Sequence, residues 1–142
     1  MWKAQLYQES RLDPSAVSPV GAAGLAQFMP ATWNQIAAEL RLGLVDRHAV
    51  EPAILAGAYY MAKLRRGWRS ERPEDDRQKL AQASYNAGFG SLLAAQSSCG
   101  GKALYAEIVS CLPQVTGDKN AHETTTYVQR IWRWWQMMEA GL

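Results

Sequence analysis

Apolar residues recur along the chain at the spacing of a helix, and no stretch alternates apolar and polar residues for long enough to form a sheet. In one segment Trp33, Ile36, Ala37 and Leu40 stand at positions i, i+3, i+4 and i+7, which places them on one helix face. The pattern therefore predicts an all-α domain of six or seven irregularly packed helices, with no internal repeat.

Proline and glycine set the predicted limits of these helices, because proline is favoured in a first turn and glycine just after a last one. The predicted helices, in chain order, are residues 1–10, Pro30 to just before Gly43, Pro52 to Gly67, a fourth that stops at Gly88, 91–96, 103–112, and a last one from about Glu123. The inward face of the third helix is expected to carry Leu55, Ala58, Tyr59 and Ala62.

The composition fits one ordinary globular domain. The chain has 142 residues, of which 48% are hydrophobic and 20% charged, so residues 1–142 are expected to form a single domain around one core. The longest apolar run, residues 54–62, is far shorter than the ~20 residues of a membrane span, and the start lacks the apolar segment of a signal peptide. A net charge of +2 is too weak to indicate nucleic-acid binding.

The sequence contains no pattern typical of a metal or cofactor site. The two histidines, His48 and His122, have no partner at the spacing of metal ligands, and there is neither a Cys-x-x-Cys pair nor a phosphate-binding glycine loop. We therefore expect no metal and no cofactor.

Two cysteines, Cys99 and Cys111, lie twelve positions apart, and Gly100-Gly101 after the first lets the chain turn back. A disulfide between them would indicate an oxidising compartment such as the periplasm. The alternative is a pair of reduced, buried cysteines that act as small apolar side chains.

One carboxylate, Glu9, stands at the end of the first predicted helix. The carbonyl end of a helix disfavours the charged form of a carboxyl, and a carboxyl that stays protonated near neutral pH is what glycoside cleavage needs as a general acid. We expect Glu9 to be largely enclosed. Taken alone, a glutamate at a helix end is more commonly an ordinary surface residue.

The surrounding motifs resemble the soluble lytic transglycosylase family along nearly the whole chain, in order. Its Glu-Ser pair corresponds to Glu9-Ser10, its Ser-Pro-x-Gly-Ala turn to residues 18–22, and its Gly-Leu-Met-Gln and Met-Pro-x-Thr segments to residues 24–27 and 29–32. Later matches are a Tyr-Asn-Ala-Gly motif at 85–88 and the Glu-Thr and Tyr-Val pairs at 123–124 and 127–128.

The resemblance implies a goose-lysozyme-like fold around a substrate groove, with one role for each matched position. Glu9 would be the single catalytic acid and base. The residues implied to line the groove or bind substrate are Ser18, Gln27, Met29, Tyr85 and Asn86, and those implied to be structural beside it are Glu123, as a buried acid, and Tyr127. Ala26 stands where the family has Met, and Ala53 where it has Asn.

The activity implied is cleavage of the β-1,4 bond between MurNAc and GlcNAc in peptidoglycan strands, with formation of 1,6-anhydro-MurNAc. Two alternatives stay open: a hydrolytic muramidase of goose-lysozyme type, favoured if Asp13 or another carboxylate faces Glu9, and a non-catalytic wall-binding module. The expected partner is the glycan strand, with no nucleic acid and no membrane segment, and the chain is expected to be a monomer.

The expected place of action is the periplasm or the cell wall, although the chain shows no export route. A compact domain suits a bacteriophage endolysin or virion lysin, and compactness is the only feature that favours this interpretation. It also suits a small transglycosylase that opens the wall for a secretion machine. Because Met1 stands only eight residues before Glu9, the chain has the pattern of one trimmed at its N-terminus.

Three tryptophans, Trp132, Trp134 and Trp135, lie on the last predicted helix. An amphipathic terminal helix favours core positions for most of them. An exposed one would be a candidate for stacking on a sugar ring.

Overall fold

The structure, a computed structural model, describes residues 1–141; Leu142, the last residue of the predicted domain, lies outside the described residues. Its helices are α1 (Trp2–Ser10), α2 (Pro30–Glu39), α3 (Val50–Gly67), α4 (Glu74–Ala87), α5 (Phe89–Ser98), α6 (Tyr105–Ser110), α7 (Pro113–Thr116) and α8 (Asp118–Glu139). Within residues 1–141 the only β pairing is the pair of isolated bridges Val17–Ala23 and Ala23–Phe28. The predicted all-α class is confirmed, with one extra helical turn, α7.

The start of α8 differs most from the sequence prediction. Helix α8 begins at Asp118, five residues before Glu123, because Gly117 (φ 84°) ends α7 and an acidic residue suits the positive end of the next helix. Helix α1 ends at Ser10, as predicted, because Arg11 already takes a left-handed conformation with φ 57°.

Contacts along the chain divide it into two compact units, and each is described by itself. The first unit comprises residues Met1–Tyr60 together with the chain from Ile131 onward. Its core includes Trp33, Ile36 and Ala37 of α2, with Leu40 packed against it, so the predicted face of that helix is confirmed. Phe28 lies edge-on to Trp33, with ring centroids 5.3 Å apart.

Helix α3 buries a face that includes only Tyr59, partly buried against the core, of the four residues predicted to point inward. Leu55 is 53% exposed and Ala58 and Ala62 are also exposed, whereas the buried positions are Ala53, Ala56, Gly57, Met61 and Leu64. The reason is close packing: the indole ring of Trp2 lies against Gly57, where a Cβ would collide with it. Close to Gly57 the buried positions are therefore small, Ala53 and Ala56, and the larger Leu55 faces outward.

The second unit comprises residues Met61–Arg130. Here α5 packs against α4, α6 and α7. Trp68 is almost fully buried, donates its indole N–H to Ser84 Oγ at 3.1 Å and lies edge-on to Phe89. These contacts hold the C-terminal half of α4, which carries the Tyr-Asn motif, against the start of α5.

A disulfide joins Cys99, just after α5, to Cys111, just after α6, with a Cα–Cα distance of 5.9 Å. This is the pairing that the sequence suggested, and the alternative of two reduced cysteines does not apply in this structure. The bond ties the end of α5 to the segment that continues into α7.

No helix within residues 1–141 is long and apolar enough to cross a membrane.

Candidate active site

Helix α1 carries Glu9 in its last turn, one residue before the helix ends. The side chain of Glu9 is partly exposed, so it is less enclosed than expected. The helix is short, and its apolar face is anchored through Leu6, which is 4% exposed. A carboxyl in this position lies at the negative end of the helix dipole and in reach of solvent or substrate.

The residue after Glu9 ties α1 to the following loop. The hydroxyl of buried Ser10 donates to the carbonyl of Leu25 at 2.9 Å and also lies 3.2 Å from the carbonyl of Leu6. Since the Leu25 carbonyl belongs to the Gly24–Gln27 turn, the end of α1 and that turn are held together. The Glu-Ser pair therefore combines a candidate acid with the anchor that fixes its helix.

The loop between α1 and α2 is braced by the two polar residues that the resemblance singled out. Ser18 closes a turn by accepting the N–H of Ala22 on its Oγ at 3.0 Å. Gln27, in a left-handed conformation (φ 51°), donates its side-chain amide to the carbonyls of Gly24 at 2.8 Å and Ala16 at 3.2 Å. Both side chains thus shape the loop in the same unit as Glu9.

Gly24 allows a second segment to pack under this loop. Its φ is 78°, and a Cβ there would collide with the carbonyl oxygen of Arg47. The Arg47 guanidinium in turn donates to the carbonyls of Gly21 and Phe28, at 2.8 and 2.7 Å. At the end of the loop Met29 is 42% exposed, which leaves its side chain available to line a groove.

In the second unit, the Tyr-Asn and Glu-Thr motifs meet. Tyr85 is half-buried and Asn86 is exposed in the last turn of α4, which Gly88 (φ 93°) ends. The buried hydroxyl of Thr124, on α8, donates to Asn86 Oδ1 at 2.8 Å. This hydrogen bond fixes the side chain of Asn86, and Tyr127 is buried one turn further along α8.

A polar cavity of about 250 Å³ lies beside this pair of motifs. Its lining consists mostly of hydrogen-bonding side chains: Asn86, Ala87, Thr116, Asn120, Glu123 and Thr124. No motif in the sequence pointed to Thr116 and Asn120. Their signal was a spacing of four residues between polar positions: Asn120 and Thr124 lie on one face of α8, and the side-chain amide of Asn120 donates to the carbonyl of Thr116 at the end of α7.

The expectation that Glu123 is buried is wrong. The buried positions of this part of α8 are Ala121, Thr124, Tyr127, Val128 and Ile131, at intervals of three and four, and Glu123 falls outside that stripe. The carboxylate is exposed and borders the polar cavity. It is therefore available to solvent rather than fixed in a core.

Asp13 is the acidic residue nearest to Glu9 along the chain, and it is used locally. Its Oδ1 accepts the hydroxyl of Ser15 at 2.7 Å and the N–H of the same residue at 2.9 Å. The hydroxyl bond, then the backbone bond, lowers the pKa of this exposed carboxyl below its ordinary value. Because Arg11 and Leu12 both have positive φ, Asp13 does not continue the helix that carries Glu9.

The candidate residues thus fall into two sets. Glu9, Ser18, Gln27 and Met29 belong to the first unit, and Tyr85, Asn86, Glu123 and Tyr127 to the second. In the first unit the Ser10–Leu25 bond holds the end of α1 to the following loop, and in the second the Thr124–Asn86 bond joins α8 to α4. That both sets line a single groove stays a prediction.

Comparison with known proteins gives one family. The Transglycosylase SLT domain model matches residues 2–107. Among curated proteins, "Membrane-bound lytic murein transglycosylase F" of Yersinia pestis is 32% identical over 142 residues, covering 90% of this chain and 28% of that protein. The protein of the same name in Desulfosudis oleivorans is 42% identical over 98 residues, covering 68% of this chain and 20% of its own length.

Solved structures show the same fold. The 70 kDa soluble lytic transglycosylase SLT70 of Escherichia coli superposes with a TM-score of 0.72 at 24% identity, covering 94% of this chain and 20% of that one. An inactive mutant of lytic transglycosylase Slt from Pseudomonas aeruginosa gives the same TM-score at 23% identity, covering 98% and 22%. The chain therefore spans under a third of the length of these relatives.

The fold is thus the all-α, lysozyme-like architecture of the lytic transglycosylases. With its family model matched over residues 2–107, the chain belongs to the Transglycosylase SLT domain family.

Proposed function

We propose that this chain is a peptidoglycan lytic transglycosylase that cleaves the β-1,4 bond between MurNAc and GlcNAc and leaves a 1,6-anhydro-MurNAc end. The observation that carries the proposal is the position of Glu9: a partly exposed carboxyl at the carbonyl end of α1, anchored by the Ser10–Leu25 hydrogen bond, inside the segment that the family model matches. The curated relatives are named lytic murein transglycosylases.

In the proposed reaction the substrate supplies its own nucleophile. The N-acetyl carbonyl at C2 of muramic acid attacks C1 while Glu9 donates a proton to the leaving glycosidic oxygen. Glu9, now a carboxylate, takes the proton of the C6 hydroxyl, whose oxygen attacks C1, displaces the N-acetyl oxygen and closes the anhydro ring. Glu9 is protonated again at the end, and no water is consumed.

The local hydrogen bonds of Asp13 favour one acid rather than a pair. Most glycosidases need a second carboxyl opposite the first. In the first unit Asp13, the alternative from the sequence, is engaged by Ser15 and keeps a lowered pKa. A hydrolytic muramidase is therefore the second candidate function, and it requires a carboxylate that positions water in place of the C6 hydroxyl.

The remaining side chains receive supporting roles. Ser18 and Gln27 shape the loop beside the end of α1, and Met29 supplies an exposed apolar contact. Asn86, fixed by Thr124, and the polar cavity beside it offer hydrogen bonds to a sugar or to the peptide attached to it. The proposed partner is the glycan strand, bound by a monomer that acts in the periplasm or on the wall, where a disulfide is maintained.

The test is the substitution Glu9→Gln, which keeps the shape of the side chain and removes its transferable proton. General acid catalysis contributes about 10²–10⁴-fold, so cleavage of purified sacculi should fall by at least about a hundredfold. The matched control is Glu71→Gln, which changes an exposed carboxylate in a loop of the second unit and should leave activity unchanged.

Circular dichroism and binding to sacculi should be the same for both variants and the wild type. Full activity in Glu9→Gln would overturn the assignment of this residue. Inactive wild-type protein that still binds sacculi would favour the wall-binding alternative.

A further inference from the structure

A side chain from the far end of the chain contacts the last turn of α1. The indole N–H of Trp134, on α8, donates to Gln8 Oε1 at 2.9 Å. Its ring lies edge-on to that of Tyr7, with centroids 5.1 Å apart and planes at 82°. All three residues belong to the first unit, and all three are half-buried.

Arg11 completes this cluster from the other side of Glu9. Its guanidinium carbon lies 4.6 Å from the centre of the Tyr7 ring and 4.9 Å from that of Trp134. Arg11 and Leu12 both have positive φ, which costs a side-chain-bearing residue about 1–2 kcal/mol. The stacked guanidinium is attracted to both rings, and it stabilises this strained exit from the helix.

Glu9 thus has a restrained neighbour at every adjacent position. Two positions before it, Tyr7 packs on Trp134, and one position before it Gln8 bonds to the same indole. The hydroxyl of Ser10, directly after Glu9, is bonded to Leu25. The position of the Glu9 carboxyl therefore depends both on the loop that follows α1, through Ser10, and on Trp134, through Gln8.

We propose that Trp134 is a positioning residue for Glu9. Its N–H fixes the rotation of the last turn of α1 through Gln8, and its ring fixes the exit of the chain through Arg11. The proposal rests on the function proposed for Glu9. Since the N–H of Trp134 is bonded to Gln8 and the Arg11 guanidinium covers a face of its ring, stacking on a sugar ring is not its primary role.

The decisive variant is Trp134→Phe, which keeps an aromatic ring for Tyr7 and Arg11 and removes the N–H that holds Gln8. Small displacements of a catalytic group slow a reaction strongly, so the single-turnover rate on one purified glycan fragment should fall about tenfold. The dissociation constant of that fragment should change by less than about twofold, because the substitution does not alter the contacts that bind substrate and transition state equally. A lost packing contact alone would change the folded fraction, not the rate per folded molecule.

The route through Gln8 is tested by a double-mutant cycle with Gln8→Met, which removes the acceptor at similar length. If the Trp134–Gln8 bond transmits the effect, the double variant should be no slower than the slower single one. If the rate losses of the two single variants multiply in the double variant, the result would contradict this route.

The matched control is Trp135→Phe, one residue along α8, where the ring lies edge-on to Trp132 at 5.5 Å. It should lower the unfolding temperature by a similar amount and leave the single-turnover rate unchanged. An unchanged rate in both Trp134→Phe and Gln8→Met would overturn the proposal, while the loss in Glu9→Gln would still stand as evidence for the function. Equal rate losses in Trp134→Phe and Trp135→Phe would also overturn it.

Discussion

Removal of the Cys99–Cys111 disulfide should destabilise the protein without unfolding it. The bond closes a short loop, with the two cysteines twelve positions apart. Loop-closure entropy for a ring of this size gives about 3 kcal/mol of stabilisation. Ile108 and Leu112, which lie inside and just beyond the loop, are fully buried and hold the segment in place when the bond is absent.

For a chain of this length about 3 kcal/mol corresponds to a fall of about 10 °C in unfolding temperature. Both cysteines are half-buried, so a small reductant can reach the bond. The measurement is thermal unfolding followed by circular dichroism, with and without a phosphine reductant. The comparison is the double variant Cys99→Ser with Cys111→Ser, which should unfold near the reduced wild type and should not respond to the reductant.

Thiol titration must show that both cysteines are reduced in the treated wild type. If the unfolding temperature of that fully reduced protein equals that of the oxidised one, the reasoning from loop closure is refuted. A fall of more than about 20 °C would also contradict it, because the buried residues of the segment would then contribute too little by themselves.

Three further predictions follow from single contacts. Gly24→Ala places a Cβ against a backbone carbonyl at positive φ and should cost about 3 kcal/mol or more in urea unfolding, whereas Gly43→Ala, at φ 72° in open space, should cost only about 1–2 kcal/mol. Thr124→Val removes the hydroxyl that donates to Asn86 and should lower the cleavage rate about fivefold, with about 1 kcal/mol lost in stability. An unchanged cleavage rate would show that this hydrogen bond to Asn86 does not matter for activity. Asp13→Asn should leave cleavage within about twofold, since a residue engaged in its own loop takes no catalytic proton; a hundredfold loss would favour the muramidase.

The sequence predicted the helices best where the apolar residues are large. Trp33 and Ile36 identify the buried face of α2 because large side chains gain most by leaving water. In α3 the same reasoning selected Leu55, but the helix is buried through Gly57, against which Trp2 packs. Such close approach depends on a residue fifty-five positions away, and the periodicity of one segment carries no information about it.

The same difference between local patterns and contacts with distant residues applies to the candidate site. Glu9, Ser18 and Gln27 could be proposed from the sequence because they stand in one contiguous motif, and the hydrogen bonds of Ser18 and Gln27 are with that same loop. Glu123 was misplaced because α8 begins earlier than expected and its buried stripe passes through Thr124. The bond from Trp134 to Gln8 joins residues 126 positions apart, which no local pattern reveals.

The origin of the oxygen in the products tests the central claim most directly. The purified chain is incubated with sacculi in water enriched in ¹⁸O, and the released fragments are analysed by mass spectrometry. A transglycosylase that depends on Glu9 predicts 1,6-anhydro ends, each one water lighter than a hydrolysed fragment and free of ¹⁸O, and almost none from Glu9→Gln. Reducing muramic acid ends that carry ¹⁸O would contradict it and identify the protein as a muramidase.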